Sequence, residues 1–483
     1  MKKKLFLVFI FVLAVFFRFY KINDFFIFNG DVARDYLSAR DISLIGKIPL
    51  VGCPSSVPWL HQGAFFIYLL SLPLFIGGYN PISGVIFVSL LGVLNVFVIY
   101  FLGKKLFSET AGLWAALFYS TSPIVVLFDR YPYHQSPISL YTILFFLSLH
   151  YSIKKNPKFF VFSLFLLGLL MQLELSNLVL VPIAFCIFLI YRKKISLNVL
   201  VFSIISFLIT WIPKIIWDIN NGFSQTFGFV AWMIHKVIPV TFPGDTPTES
   251  ISFFKRLTLL AEYFSRMIFY PSIALSTVIL VALILFLILT KKKSKVDKDS
   301  FLLVFLWLAF PVLGFLIHGS PSVSYMPILF ALPPLFLGYF IWKLPGLKLK
   351  KISQTLLVLF VLLNGFYLIK NNYLFITEKD TFDKWSEKIP SFSLYKNVSK
   401  YIVSQSGEKY NLVSVGKLAE FESNIDSFVY INWFLGKPAS LKKEKNFFLV
   451  YYNFDKKILE SKIDSGETVR EFPVFSVLEK SHD

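Results

Sequence analysis

Apolar runs of a length that crosses a bilayer recur along most of this chain, and nothing constrains its fold more. Hydropathy places them at about 5–22, 61–78, 81–103, 111–128, 135–153, 159–173, 177–191, 195–217, 264–290, 300–318, 325–342 and 352–369. A helix needs about 20 apolar residues to span a hydrocarbon core of roughly 30 Å. The 56% hydrophobic content, the 57 Phe and a mean hydropathy of +0.66 exceed what a soluble domain of 483 residues carries. The sequence therefore predicts a polytopic α-helical membrane protein.

The run at 61–78, "HQGAFFIYLLSLPLFIGG", decides the topology. It is short, contains Pro73 and ends in Gly77-Gly78. If it crossed, Lys104/Lys105, Lys154/Lys155/Lys158, Arg192/Lys193/Lys194, Lys291/Lys292/Lys293 and Lys348/Lys350/Lys351 would lie opposite Lys2–Lys4. If it lies in the interface, every cluster falls on the cytoplasmic side, as the positive-inside bias requires. That reading gives about 11 crossings over 1–370, a retained signal anchor at the N-terminus and a cytoplasmic start. The net charge of +19 sits in these loop clusters, so it points to membrane topology and not to nucleic acid. Cys53 and Cys186 give no disulfide framework or metal quartet.

Three loops and the tail then face outward. The first loop spans 23–80; the second, 129–134, reads "DRYPYH"; the third, 218–262, opens "WDINNGF". The tail, 371–483, mixes helix-like "YKNVSKYIVSQ" with strand-like "NLVSVG", "FVYINWFL" and "FFLVYY", which predicts a soluble extracytoplasmic α/β domain. In "GDVARDYLSARDIS", Asp31, Arg34, Asp35 and Ser38 fall at i, i+3, i+4 and i+7, so one face of an interfacial helix carries charge. A six-residue turn needs no acid, guanidinium and imidazole, yet the second loop holds Asp129, Arg130 and His134. Asp218 is a third acid at the same depth. Few ionisable residues lie mid-crossing; Glu174 and Lys214 sit near outer ends and His150 near an inner one. Transporters place such groups near the midplane. No phosphate-binding glycine loop, H-E-x-x-H, C-x-x-C or G-x-S-x-G is present. An outward-facing enzyme without a nucleotide site takes its activated group from the membrane, and a lipid phosphate carrying a sugar fits.

These features resemble the GT-C glycosyltransferases, in the branch of protein O-mannosyltransferases, aminoarabinose transferases and their family 39 relatives. The likeness rests on "FNGDVARDYLSARDI", "GKIPLVGCPSSV", "HQGAFFIYLLSLPLFIGG", "NVFVIYFLGKKLFSETAGLWAALFYSTSPIVVLFDR" and "WDINNGF", covering residues 1 to about 340. It implies a catalytic role for Asp31, as general base, and for Asp129. It implies donor-phosphate binding by Arg34, Arg130, His134 and Tyr325, and support from Asp35, His61 and Asp218. Asn220-Asn221 and Ser324 depart from the family pattern, where Arg-His and His often stand.

The reaction so implied is inverting transfer of a sugar from a polyprenyl phosphate to an acceptor hydroxyl on a protein, glycolipid or cell-wall polymer, at the outer face of the plasma membrane. Asp35 leaves a retaining route open. A divalent metal at Asp31, Asp129 and Asp218 is conceivable, and no cofactor is called for. The alternatives are a lipid or polysaccharide transporter, which would show pseudo-symmetry and a charged central cavity, and a sugar-polymer ligase or polymerase, whose large loop comes late in the chain.

Overall fold

The computed structural model describes residues 2–55, 59–237, 251–290, 297–318, 322–380, 388–456 and 468–481. The apolar runs form helices. In chain order they are α1 (Lys2–Phe19), α2 (Gly30–Ile45), a small hairpin β1 (Val51–Pro54) and β2 (His61–Gly63), α3 (Phe65–Ile76), α4 (Ile82–Leu106), α5 (Glu109–Thr121), α6 (Pro123–Phe128), α7 (Ile138–Lys154), α8 (Phe159–Leu173), α9 (Val181–Tyr191) and α10 (Leu197–Asn220). There follow α11 (Ser224–Val237), α12 (Phe253–Ile268), α13 (Ile273–Thr290), α14 (Lys298–His318), α15 (Leu332–Lys343) and α16 (Leu347–Lys370). Among the described residues, six stretches are long and apolar enough to cross a membrane: α4, α10, α13, α14, Val323–Lys343 and α16.

Local chemistry sets several boundaries. Ser108 and Ser196 cap α5 and α10 by accepting from Ala111 N and Val199 N. Ser122-Pro123 splits the expected 111–128 run into α5 and α6. The expected run 264–290 is likewise not one helix. Pro271 forces the break, so that α12 ends at Ile268 and α13 starts at Ile273. The α3 helix has 12 residues, about 18 Å of rise, too little to cross as a helix.

Side-chain pairs gather the basic ends of the bundle. Lys3 meets Glu109 at 2.5 Å, and Lys154 meets Asp297 at 2.6 Å and Asp299 at 2.5 Å. Tyr191 donates to Asp299. Lys291–Lys293 lie outside the described residues. At the other end stand α2, the loop after α6, the start of α11 and the tail.

The tail contributes β3 (Phe375–Ile376), β4 (Ile389–Pro390), α17 (Phe392–Gln405), β5 (Asn411–Ser414), α18 (Asp426–Phe434), β6 (Asn446–Tyr452), β7 (Thr468–Glu471) and β8 (Phe475–Ser481). A mixed sheet runs β5-β6-β8-β7, with β5 parallel to β6 and the other pairs antiparallel. "FVYINWFL", expected as a strand, lies mainly in helix α18. Its buried residues Ser427, Phe428, Tyr430 and Ile431 follow helical spacing and wedge against α2 and α17. Aromatic rings join tail to first loop: Phe26 stacks on Phe392 at 4.4 Å, and Tyr36 meets Tyr430 edge-on at 5.4 Å. Backbone approaches backbone at Gly30, where a Cβ would come within 2.0 Å of the Ser423 carbonyl oxygen.

Candidate active site

The first-loop helix α2 begins where Asn29 accepts from Val32 N and ends at Gly46, whose left-handed φ of 69° closes it. Its charged residues do not share one solvated face. Asp31 is 44% exposed, whereas Asp35 is buried beside Val32, Ala33, Tyr36 and Ala39. Arg34 stands between the acids, 3.0 Å from Asp31 Oδ1 and 3.9 Å from Asp35 Oδ1. Ser423 of the tail donates to the same Asp31 Oδ1 at 3.2 Å, so both contacts fall on one oxygen and Oδ2 stays available. Burial raises Asp35 from 3.8 to about 6 against the pull of Arg34. Burial likewise raises Asp426 of α18 to about 6, again opposed by Arg34. Burial works to lower Arg34, but Asp35, Cys53 and Asp31 outweigh it and its pKa is raised.

Behind Arg34 a buried polar chain runs inward. His134 places Nδ1 3.5 Å from Cys53 Sγ and Nε2 3.2 Å from Glu174 Oε2. Burial disfavours the imidazolium, but Cys53 and Glu174 prevail, and His134 is raised well above 6.5. Gln62 donates to Glu174 Oε1 at 2.7 Å, and Gln135 to Oε2 at 3.4 Å. His61 packs against Trp217 with tilted rings 4.7 Å apart, its backbone N–H donating to Gln225. Burial lowers His61, and Lys214 adds to the shift. Tyr325 lies on a 3-10 turn (Val323–Leu329), its ring beside Phe315 and His318 and within electrostatic reach of Glu174.

Three of the expected site residues are engaged by other partners. Asp129 is buried, with Oδ2 2.7 Å from Arg18 Nη2 and 2.9 Å from Arg18 Nε, so it balances a cation inside the bundle. Arg130 is buried too. It donates to the carbonyls of Phe17, Tyr20 and Phe25, which end α1 and begin the first loop, and its guanidinium stacks 4.2 Å above Tyr373. That saturates Arg130 and leaves nothing for a phosphate. Asp218 accepts from Gln225 N, Thr226 N and Thr226 Oγ1 at the start of α11, an N-cap-like role. Asp31, Asp129 and Asp218 are thus committed to separate partners and form no metal centre. Among the described residues no cluster of three His, Cys, Asp or Glu side chains could hold an ion.

Sequence reasoning passed over Cys53, Gln62, Glu174, Lys214 and Ser423, which lie around the candidate residues. For Glu174 and Lys214 the signal was present, since each is a lone ionisable residue near the outer end of an apolar run. For Ser423 there was none, because it arrives from a tail segment 392 residues away.

A bundle of apolar helices carrying an acid-bearing loop helix at one end, roofed by a mixed-sheet tail, is a polytopic membrane protein of the GT-C type fold. Residues 61–217 match the family model described as dolichyl-phosphate-mannose-protein mannosyltransferase. The chain is similar to the crystal structure of ArnT from Cupriavidus metallidurans bound to undecaprenyl phosphate, with a TM-score of 0.66, 11% identity, and 98% of this chain and 97% of that one covered. The apo form of the same protein gives 0.65 and 10% over the same shares. The archaeal oligosaccharyltransferase AglB from Archaeoglobus fulgidus, in complex with an inhibitory peptide and a dolichol-phosphate, gives 0.50 and 12% over 95% of this chain and 70% of that one. The curated proteins hold no sequence match. The GT-C fold that the sequence resemblance implies is therefore the fold observed.

Proposed function

We propose that the protein is a glycosyltransferase that moves a sugar from a polyprenyl-phosphate donor in the membrane to an acceptor hydroxyl. The observation that carries this reading is Asp31, a half-exposed carboxylate held on one oxygen by Arg34 and Ser423, in a fold shared with a protein crystallised on undecaprenyl phosphate. The matched family model, named for a dolichyl-phosphate-mannose donor, supports the same substrate class.

A carboxylate is too weak a base to deprotonate an alcohol beforehand, so the proton passes to Asp31 Oδ2 as the acceptor oxygen attacks the anomeric carbon and the phosphate leaves. Arg34 sits beside that carboxylate with a buried Nε–H that no acceptor satisfies among the described residues. It stabilises charge developing on the departing phosphate. A retaining route needs a second carboxylate free to act as nucleophile about 5 Å away. Asp35 is buried against Val32 and Tyr36, which favours a single inverting displacement. The basic clusters at the opposite end of the bundle support an outer-face site under the positive-inside rule, with the N-terminus cytoplasmic and the 371–483 segment outside.

The test is purified protein with a panel of polyprenyl-phospho-sugars, following hydrolysis or transfer. Turnover of at least one donor, lost in Asp31→Asn with the fold intact, is expected. Full activity in Asp31→Asn removes Asp31 from the chemistry.

A further inference from the structure

Lys214 is a buried lysine at this end of the bundle whose ammonium makes no hydrogen bond or ion pair among the described residues. It lies on α10, six residues before Asn220 and so about 9 Å below the helix end. The side chain is 2% exposed, and Nζ has no hydrogen-bond partner. The Trp211 ring lies 5.1 Å from Nζ to the centroid. Two acids stand in the neighbourhood, and both are engaged elsewhere. Glu174 is held by Gln62, Gln135 and His134, and Asp218 by the amides of Gln225 and Thr226.

An isolated ammonium at this depth is strongly unfavourable and persists where it meets an anion. Lys214 lines a cavity of about 230 Å³ between α8, α10 and α11, whose wall is mainly apolar: Leu60, Met171, Trp211, Phe229 and Val230. Asp218, Gln225 and Thr226 also line it, but the Asp218 carboxylate accepts from the Gln225 and Thr226 amides and the Thr226 hydroxyl, so the Lys214 ammonium is the lining charge without a hydrogen bond. A mainly apolar chamber with such a cation matches an anion carried on a hydrocarbon chain, and it suits free phosphate poorly.

Building on the glycosyltransferase reading, we propose that Lys214 binds the phosphate of the prenyl-phosphate donor, with the first isoprene units lying along Trp211 and Phe229. The assignment supplies the cation that Arg130 and the paired His134 do not. It sets the phosphate on the α10 side of Glu174, at the far end of the polar chain from Asp31, so the sugar spans the interval under the loop after α6.

The experiment uses detergent-purified full-length protein and farnesyl phosphate as the probe, read by thermal unfolding and by calorimetric titration. Farnesyl phosphate is expected to stabilise the wild type and Lys214→Arg, while farnesol and inorganic phosphate do not. Lys214→Met is expected to melt higher than wild type without ligand, because an unpaired buried charge is gone, and to bind farnesyl phosphate about tenfold to a hundredfold more weakly. Undiminished binding in Lys214→Met overturns the proposal. So does an equal Lys214-dependent response to inorganic phosphate or phosphatidylglycerol, which would make the site a general anion seat. Sugar transfer is measured in parallel. Lys214-dependent farnesyl phosphate binding without transfer from any donor sinks the enzyme reading and keeps this site. Intact transfer with binding indifferent to Lys214 does the reverse.

Discussion

Asp35→Asn separates the two displacement chemistries and tests the burial of α2 in one variant. Burial lifts the Asp35 carboxyl from 3.8 to about 6, opposed by Arg34 at 3.9 Å. Between those values the folded protein holds a proton that the unfolded chain has already released. Stability therefore falls as pH rises through that window, and above about pH 6 the whole cost is present. Two units correspond to about 3 kcal/mol, an upper figure because local relaxation and water entry reduce it. Asparagine keeps the shape and never ionises. Thermal melts of wild type and Asp35→Asn in one detergent, from pH 4 to pH 7.5, are expected to converge at the acid end and diverge toward neutrality, with the variant the more stable. At pH 7 the variant is also expected to retain transfer to within about tenfold, since Arg34 loses a neighbour but the base is untouched. Parallel melting curves across the range refute the burial argument. A folded variant with no transfer at all refutes the single displacement and restores Asp35 as a nucleophile.

Other variants test the remaining assignments. Arg130→Ala is expected to destabilise by about 3–5 kcal/mol by leaving the α1-end carbonyls unpaired, seen as a large drop in melting temperature. Transfer per folded molecule is expected to persist, whereas a selective loss of turnover would return Arg130 to the phosphate. Asp129→Asn strands the buried Arg18 guanidinium and is expected to lower stability by a similar amount, with Arg18→Met, Asp129→Leu recovering most of it by thermal melt. Gly30→Val pushes a side chain into the Ser423 backbone and is expected to loosen the tail, read as faster proteolysis after residue 371 and weaker transfer.

Much of the fold was legible because hydropathy has one dominant period in a bilayer: the apolar runs became helices, and the brevity of the 61–78 segment reappears as the 12-residue α3. What the sequence hid has particular causes. "SFVYINWF" is apolar nearly all round, so neither a two-residue nor a 3.6-residue period emerges, and β-rich composition pointed to a strand. Only contact with α2 and α17 makes the helix the better burial. The 264–290 run looked continuous because Pro271 is a single residue in a strongly apolar stretch, yet it removes the one N–H that continuity needs. The Asp31–Arg34 pair was legible, since their spacing within one loop helix brings them together without tertiary help.

Asp129 and Arg130 show why charge at a membrane edge is ambiguous from sequence. Adjacent in the chain, they were expected to point together into the site, but both are drawn to α1. There Arg18 is a buried cation in need of an acid, and the carbonyls at and just beyond the helix end need donors. Each pairing satisfies a group that could not otherwise be buried, so removing either is a folding defect before it is a chemical one. Among the buried polar atoms at this end of the bundle that make no hydrogen bond are the Arg34 Nε–H and the Lys214 ammonium. They lie at opposite ends of the chain through His134 and Glu174, one beside the exposed carboxylate and one in an apolar cavity. A substrate with a polar head between an acceptor and a prenyl tail is the kind of ligand that meets both at once, and the double substitution Arg34→Met, Lys214→Met is expected to abolish donor binding where each single change only weakens it. Strict additivity of the two effects in a calorimetric double-mutant cycle is consistent with two ends of one ligand, while a double variant that binds like Lys214→Met alone would place Arg34 off the donor and on the acceptor side.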